Sequence, residues 1–249
     1  MIDNLPLDQV ISGDCLEVMQ QFPDNSIDLI VTDPPYGLNY NQNDMASHRE
    51  AIFGGNLADS VPRPIANDGE DEANQLFRSL LAEAKRILKP GRCCCCCCCG
   101  GGPKPLFARW TLWMDEFLNF KQAVVWDKGG LGMGHHYRRN YEFMLIAQKP
   151  GGPCIWNGGN TTANIVKINK IIPQLDEHPT AKPTQLMEKF IHLHSNPGDI
   201  VLDPFCGHGP TLEAAKKLGR HFIGIEIEPA YCQIARQRIA GTTPPLVFA

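Results

Sequence analysis

Short β-branched apolar runs alternate along this chain with helical stripes, a pattern that predicts parallel strands joined by helices. Ser26-Ile27-Asp28-Leu29-Ile30-Val31-Thr32 reads as a strand that ends abruptly at Asp33-Pro34-Pro35-Tyr36, since adjacent prolines cannot continue a central strand. From Glu72 to Leu88, apolar residues at 73, 76, 77, 80, 81, 84, 87 and 88 form the stripe of an amphipathic helix, closed by Pro90-Gly91. A run of cysteines, Cys93 to Cys99, follows as a further strand, and shorter strands are expected at 123–126 and 143–147. Residues 150–179 show little regular periodicity. The C-terminal quarter is clearer: a helix opened by Pro183 runs through His194 and stops at Asn196-Pro197-Gly198. A strand at 199–203 then enters a glycine-containing turn and a helix over 211–218. A second strand, 221–227, leads through Glu228-Pro229 into a helix ending near Ile239. This is a βαβα unit, the building block of a doubly wound, mostly parallel sheet.

At 249 residues the chain can bury a substantial core, and one α/β domain over 1–249 is expected. Within it, 1–150 forms one half and 180–242 the other. The polar, Asn-, Asp-, Gly- and Pro-rich stretch at about 37–71 and the irregular stretch at 128–179 are candidate recognition segments, since long loops in compact enzymes are usually functional or disordered. No apolar run approaches the roughly 18 residues of a membrane span, and the N-terminus lacks the basic flank and apolar core of a signal peptide. A cytoplasmic protein without membrane contact is expected.

The net charge of −4 does not advertise nucleic-acid binding, but local charge is what matters for phosphate contacts. Small basic groups occur at Arg138 and Arg139, at Lys167 and Lys170, and at Lys216, Lys217 and Arg220. Of the 11 cysteines, seven lie in the single run. Neighbours in a run cannot pair as disulfides with good geometry, so a secreted disulfide framework is excluded. The run reads as a strand buried on both faces, its small apolar side chains alternating between them, with a metal or redox role as the alternative. His135, His136, His192 and His194 show no spacing that compels a metal site, and no metal is expected.

Two constellations carry chemistry. Asp203-Pro204-Phe205-Cys206-Gly207-His208-Gly209-Pro210-Thr211 sits where a strand becomes a helix, whose N-terminus can receive an anionic group. Glu226, at the tip of the next strand, is placed to accept both hydroxyls of a ribose. Alone, this pattern fits any nucleoside-containing cofactor, or a tight turn beside a surface acid. Asp33-Pro34-Pro35-Tyr36 is more specific. An amine on an aromatic ring is a poor nucleophile because its lone pair is delocalised. The Asp33 carboxylate and the Pro34 carbonyl can accept both of its N–H groups, favouring a pyramidal nitrogen, while the prolines keep the acceptors aimed. Tyr36 offers an aromatic face for an extruded base.

With these motifs the chain resembles the exocyclic amino-methyltransferases of DNA, which carry D-P-P-Y with an F-x-G-x-G turn. The order here, Asp33–Tyr36 before Asp203–Gly209, is that of their beta group. Gly13-Asp14-Cys15-Leu16, Leu88-Lys89-Pro90-Gly91, His178-Pro179-Thr180-Ala181-Lys182-Pro183, and Gly219 to Glu226 extend the resemblance over most of the chain. So do the cysteine strand and Gly102-Pro103-Lys104-Pro105. The resemblance implies a Rossmann-like, circularly permuted S-adenosylmethionine-dependent fold that acts on a flipped base of double-stranded DNA, most often adenine N6, in a restriction-modification type of setting. Its catalytic residues would be Asp33, Pro34, Pro35 and Tyr36. Its cofactor set would be Asp14 (toward the adenine of the cofactor), Lys182, Pro183, Asp203, Phe205, Gly207, Gly209, Thr211 and Glu226. The alternatives are a cytosine-N4 enzyme, a protein-glutamine or RNA methyltransferase, and a catalytically silent DNA-binding or partner subunit. The short recognition segments suit a short target sequence or a homodimer. The family usually has G-S-G-T-T where this chain has Gly207-His208-Gly209-Pro210-Thr211. His208 is read as a rim residue or as a change in how the cofactor's carboxylate end is held.

Overall fold

The computed structural model describes residues 5–37, 69–98, 106–131, 138–170 and 182–245. In chain order the elements are β1 (Gln9–Ser12), α1 (Cys15–Met19), β2 (Ile27–Thr32), α2 (Glu70–Ile87), β3 (Leu88–Cys98), α3 (Leu106–Phe117) and β4 (Asn119–Asp127). They continue with β5 (Tyr141–Gln148), β6 (Ile165–Lys167), α4 (Thr184–His194), β7 (Ile200–Asp203), α5 (Pro210–Lys217), β8 (His221–Glu226) and α6 (Pro229–Ala240). Eight strands form one sheet in the order β1-β8-β7-β2-β3-β5-β4-β6. The run from β1 to β3 is parallel, β5 is antiparallel to both β3 and β4, and β6 is parallel to β4. This is the mostly parallel α/β architecture that the alternation of strand and helix signals predicts.

The strand order reverses between β2 and β7. From β2 the chain builds outward through β3, and from β7 it builds the other way through β8. Ligands of open α/β sheets bind outside the carboxyl ends of the strands at such a switch point. Both β2 and β7 are buried at every position, so their ends are fixed by core packing on both faces.

The cysteine strand serves the same purpose. Cys94, Cys96 and Cys98 enter the core on one face, with Phe77, Trp110 and Met114 of α2 and α3. Cys93, Cys95 and Cys97 enter the core on the other, with Phe190 and Ile191 of α4 and Leu212 of α5. The period of two has turned one cysteine run into spacers for two packed layers. On the first face Phe77 and Trp110 stack with centroids 3.9 Å apart, and the Trp110 indole N–H donates to Asn74.

Several expectations need correction. Sequence reading missed β1, α3 and β6. In α3 the buried residues Leu106, Trp110 and Met114 form one thin line, while Leu112 is exposed, so no clean stripe stands out. β6 is only three residues long. Arg220 is buried rather than part of a basic surface, and its guanidinium donates to Ser195 Oγ, the Ser195 carbonyl and the Leu218 carbonyl. Lys217 pairs with Glu213 and Glu188, and Lys216 donates to the Ile239 carbonyl. Most of the 37–71 segment, His135, His136, residues 171–179 including His178, and Gly102 to Pro105 lie outside the described residues. Among those described, no helix is long and apolar enough to cross a membrane.

Candidate active site

Because β2 and β7 are adjacent and parallel, with Leu29 opposite Val201 and Ile30 opposite Leu202, their two following turns leave the same edge side by side. A hydrogen bond closes the pair: the Thr32 hydroxyl donates to Asp203 Oδ1 over 2.7 Å, fully buried. Tyr36 and Phe205, one from each turn, pack against the same core.

Asp33 is held from two sides. The Tyr36 hydroxyl donates to its Oδ1, and Lys182 Nζ lies 2.6 Å from its Oδ2. Lys182 is 5% exposed and stands at the entry to α4, with its ammonium 5.4 Å from the Tyr36 ring centroid. A second carboxylate, Glu142 on β5, lies 3.5 Å from the same ammonium and is itself paired with Lys128 at 2.8 Å. Burial pulls the Lys182 ammonium down, but Asp33 and Glu142 outweigh it and keep the group charged. Burial likewise pushes Glu142 up, and the ammonium groups of Lys182 and Lys128 reverse it, leaving the acid below its ordinary range. Sequence reading did not find Glu142. The only signal was an acid at the start of an otherwise apolar strand.

The glycine turn is organised by its acids. Burial raises Asp203 to about 6, against the opposing pull of the Thr211 and Thr32 hydroxyls and the Phe205 N–H. Gly207 and Gly209 have φ of +50° and +84°, which their lack of a side chain permits. At Gly209 a Cβ would also press on Ala235 at 3.1 Å. At Gly207 a Cβ would meet nothing within 4 Å, so this glycine faces open space. Pro210 takes the first turn of α5, where its missing N–H is harmless. His208 is buried, 8% exposed, and so is no rim residue.

Glu226 accepts from the Gly207 N–H at 2.9 Å and from the Glu228 N–H at 2.8 Å, so the tip of β8 braces the turn after β7. Burial raises its carboxyl, partly countered by those N–H groups. Asp14 follows β1, in register beside β8, where the Gly13 N–H donates to the Glu226 carbonyl. Its side chain caps α1 through the Leu16 and Glu17 N–H groups. Asp14, Glu226 and Asp203 therefore stand at the carboxyl ends of three successive strands, and Asp33 follows at the fourth. Pro34 and Pro183 are buried beside these groups in sequence. Lys182 belongs by contact to Asp33 rather than to the glycine turn.

The DNA adenine methyltransferase YhdJ of Escherichia coli (strain K12) is 28% identical to the chain, covering 92% of it and 82% of that protein. The solved structure of an M1.HpyAVI–SAM complex is 27% identical, with a TM-score of 0.65, covering 93% of this chain and 98% of that one. The cytosine-N4-specific PvuII DNA methyltransferase shares the fold, with a TM-score of 0.69 at 19% identity, covering 92% and 85%. The sequence model of the N6/N4 DNA methylases matches residues 27–237. With the two constellations meeting where β2 and β7 end, the chain belongs to the N6/N4 DNA methylase family.

Proposed function

We propose that this DNA methyltransferase modifies N6 of adenine in a base flipped out of double-stranded DNA, using S-adenosylmethionine as the methyl donor. The observation that carries the reading is the pairing of β2 with β7, sealed by the Thr32–Asp203 hydrogen bond. It brings the turns after β2 and β7 side by side at one edge, which supports reading the first as amine-accepting and the second as the cofactor turn.

The residues present fit the cofactor. Open space over Gly207 admits a ligand close to the backbone, and the row Asp14, Glu226, Asp203 offers acceptors for hydroxyls and a negative field for cationic groups. When bound, the cofactor supplies an electrophilic methyl carbon on a positively charged sulfur. Everything else is the chain's own work. Glu226 would accept from ribose hydroxyls, Asp14 would hold the adenine end of the cofactor, and Asp203 would support the turn between them. Asp33 and the Pro34 carbonyl accept the two N–H groups of the target amine. Lys182 and Tyr36 fix the direction of the Asp33 carboxylate, which is the preorganisation that electrostatic catalysis needs. The surplus proton of the methylated amine passes to solvent after transfer, so no strongly shifted general base is required.

DNA is expected to approach the same edge. β4 and β6 end there, and β5 begins there. Lys167 and Lys170 are exposed on this side, with Arg138 and Arg139 entering β5. Adenine is favoured by an aspartate at the head of the D-P-P-Y turn and by the likeness to a relative named as an adenine enzyme. Nucleoside analysis of plasmid DNA from cells expressing the chain tests this directly. N6-methyladenine above the background of a methylation-deficient host is the expected result. N4-methylcytosine in its place would reassign the base, and neither product would overturn the activity.

A further inference from the structure

On the face of the sheet covered by α4, away from the carboxyl edge, three soft ligands converge from distant parts of the chain. Cys93 comes from the middle of β3, Cys154 from the connection after β5, and His194 from the last residue of α4. One donor atom from each lies within 4.8 Å of the others. The two sulfurs are 3.6 Å apart. His194 is 6% exposed, and its Nδ1 is buried without a hydrogen-bond partner. The three residues help line a cavity of about 270 Å³ whose other lining includes Val124, Ile146 and Phe190, with Lys121 and Lys189 also at its wall.

A buried imidazole nitrogen lacking a partner destabilises a fold unless something fills the position. Water is a weak answer beside two thiols and the apolar side chains of that cavity. We propose that Cys93, Cys154 and His194 bind one thiophilic d10 cation of the zinc class.

Geometry favours this over a disulfide. A disulfide requires sulfurs at about 2.05 Å, so the pair would have to close by more than an ångström. Two thiolates on a tetrahedral zinc, at about 2.3 Å each, stand roughly 3.7 Å apart, close to the separation present. Charge favours it too. The cation displaces the thiol protons to solvent, and a dication with two thiolates and a neutral imidazole is neutral overall, so no net charge is buried at the site.

The surrounding chain is built to hold the ligands in place. Asn157 donates from Nδ2 to the carbonyls of His192 and Ser195, and from its backbone N–H to that of Leu193. These bonds fasten the segment carrying Cys154 to the end of α4. Trp156 lies against His194, centroids 5.5 Å apart. Three protein ligands leave a fourth position open for water. The site would staple β3, the β5–β6 connection and α4 together, remote from Asp33.

Cobalt(II) titration of the chelator-treated, reduced full-length chain tests the proposal. Expected is a thiolate-to-cobalt charge-transfer band, with the strong visible bands of tetrahedral cobalt, saturating at one equivalent and displaced by zinc(II). Cys154→Ser, at an exposed position, and His194→Gln should each weaken binding by at least about a hundredfold, more than the loss of an outer-shell partner does. Cys94→Ser, on the opposite face, should leave it unchanged. Zinc should raise the melting temperature of the unsubstituted chain and not that of Cys154→Ser. Absence of the band, its persistence in Cys154→Ser, or a Cys93–Cys154 disulfide in the untreated chain by non-reducing peptide mapping would overturn the proposal.

Discussion

Asp33→Ala is expected to lower methyl transfer by at least about a thousandfold, the scale of removing a preorganised acceptor from a reacting centre. Affinity for S-adenosylmethionine should change by less than about threefold, because Asp33 is not among the acids that line the cofactor turn. The substitution has a second effect. It removes one partner of Lys182, which is 5% exposed, and leaves Glu142 at 3.5 Å as its remaining counter-charge. Stranding a buried cation destabilises a fold, here by about 1–3 kcal/mol, since Glu142 stays and Asp33 is itself part-exposed. The two effects separate in a second variant. Asp33→Ala combined with Lys182→Met should recover the melting temperature, with turnover still absent. Tritiated-methyl transfer and thermal unfolding on the same preparations check this. Recovery of turnover in the double variant would mean that Asp33 acts only by neutralising the lysine.

Asp203→Asn is expected to stabilise the free chain while weakening the cofactor. Burial raises the Asp203 carboxyl to about 6, well above its ordinary value of 3.8. The folded state therefore holds a proton that the unfolded state has already released across that interval. Its contribution to stability accordingly falls as pH rises from about 4 to about 6, and above 6 the charged carboxylate opposes folding in full. The amide keeps the shape and can still accept from the Thr32 hydroxyl and the Phe205 N–H. Asparagine should thus raise stability at pH 7 by roughly 1–3 kcal/mol, and by much less at pH 4. With the cofactor bound as proposed, the substitution would remove a negative charge facing its cationic groups, so affinity should drop by about ten- to a hundredfold, the scale of one charged hydrogen bond. Chemical denaturation at the two pH values, with calorimetry of the cofactor, measures both. A variant less stable than the parent at pH 7 would show that the buried charge is not a source of strain.

Where the chain could be read from sequence, strong local physics was at work. Adjacent prolines end β2, and Gly207 and Gly209 mark a turn, so both turns are legible in the sequence. The cysteine run was legible because the period of two assigns its members to opposite faces whatever lies there. What escaped depended on distance. Lys182 stands 149 positions from Asp33 in sequence, and nothing local says that its ammonium ends on that carboxylate. Arg220 reads as surface charge until three oxygens from Ser195 and Leu218 are found around it. His194 reads as one more helix residue, since the thiols beside it come from two other segments. β6 is too short to carry a period of its own.

The central claim is that a base amine held by Asp33 and Pro34 faces the methyl group held over the Gly207 turn. A crystal structure of the chain with a non-reactive S-adenosylmethionine analogue and a DNA duplex containing its target tests this most directly. The amine nitrogen should lie within hydrogen-bond reach of the Asp33 carboxylate and the Pro34 carbonyl. It should also lie about 3–3.5 Å from the position of the transferable carbon, the separation of a near-attack geometry. A flipped base seated away from the β2 turn, or an analogue bound elsewhere than over Gly207 and Glu226, would contradict the account.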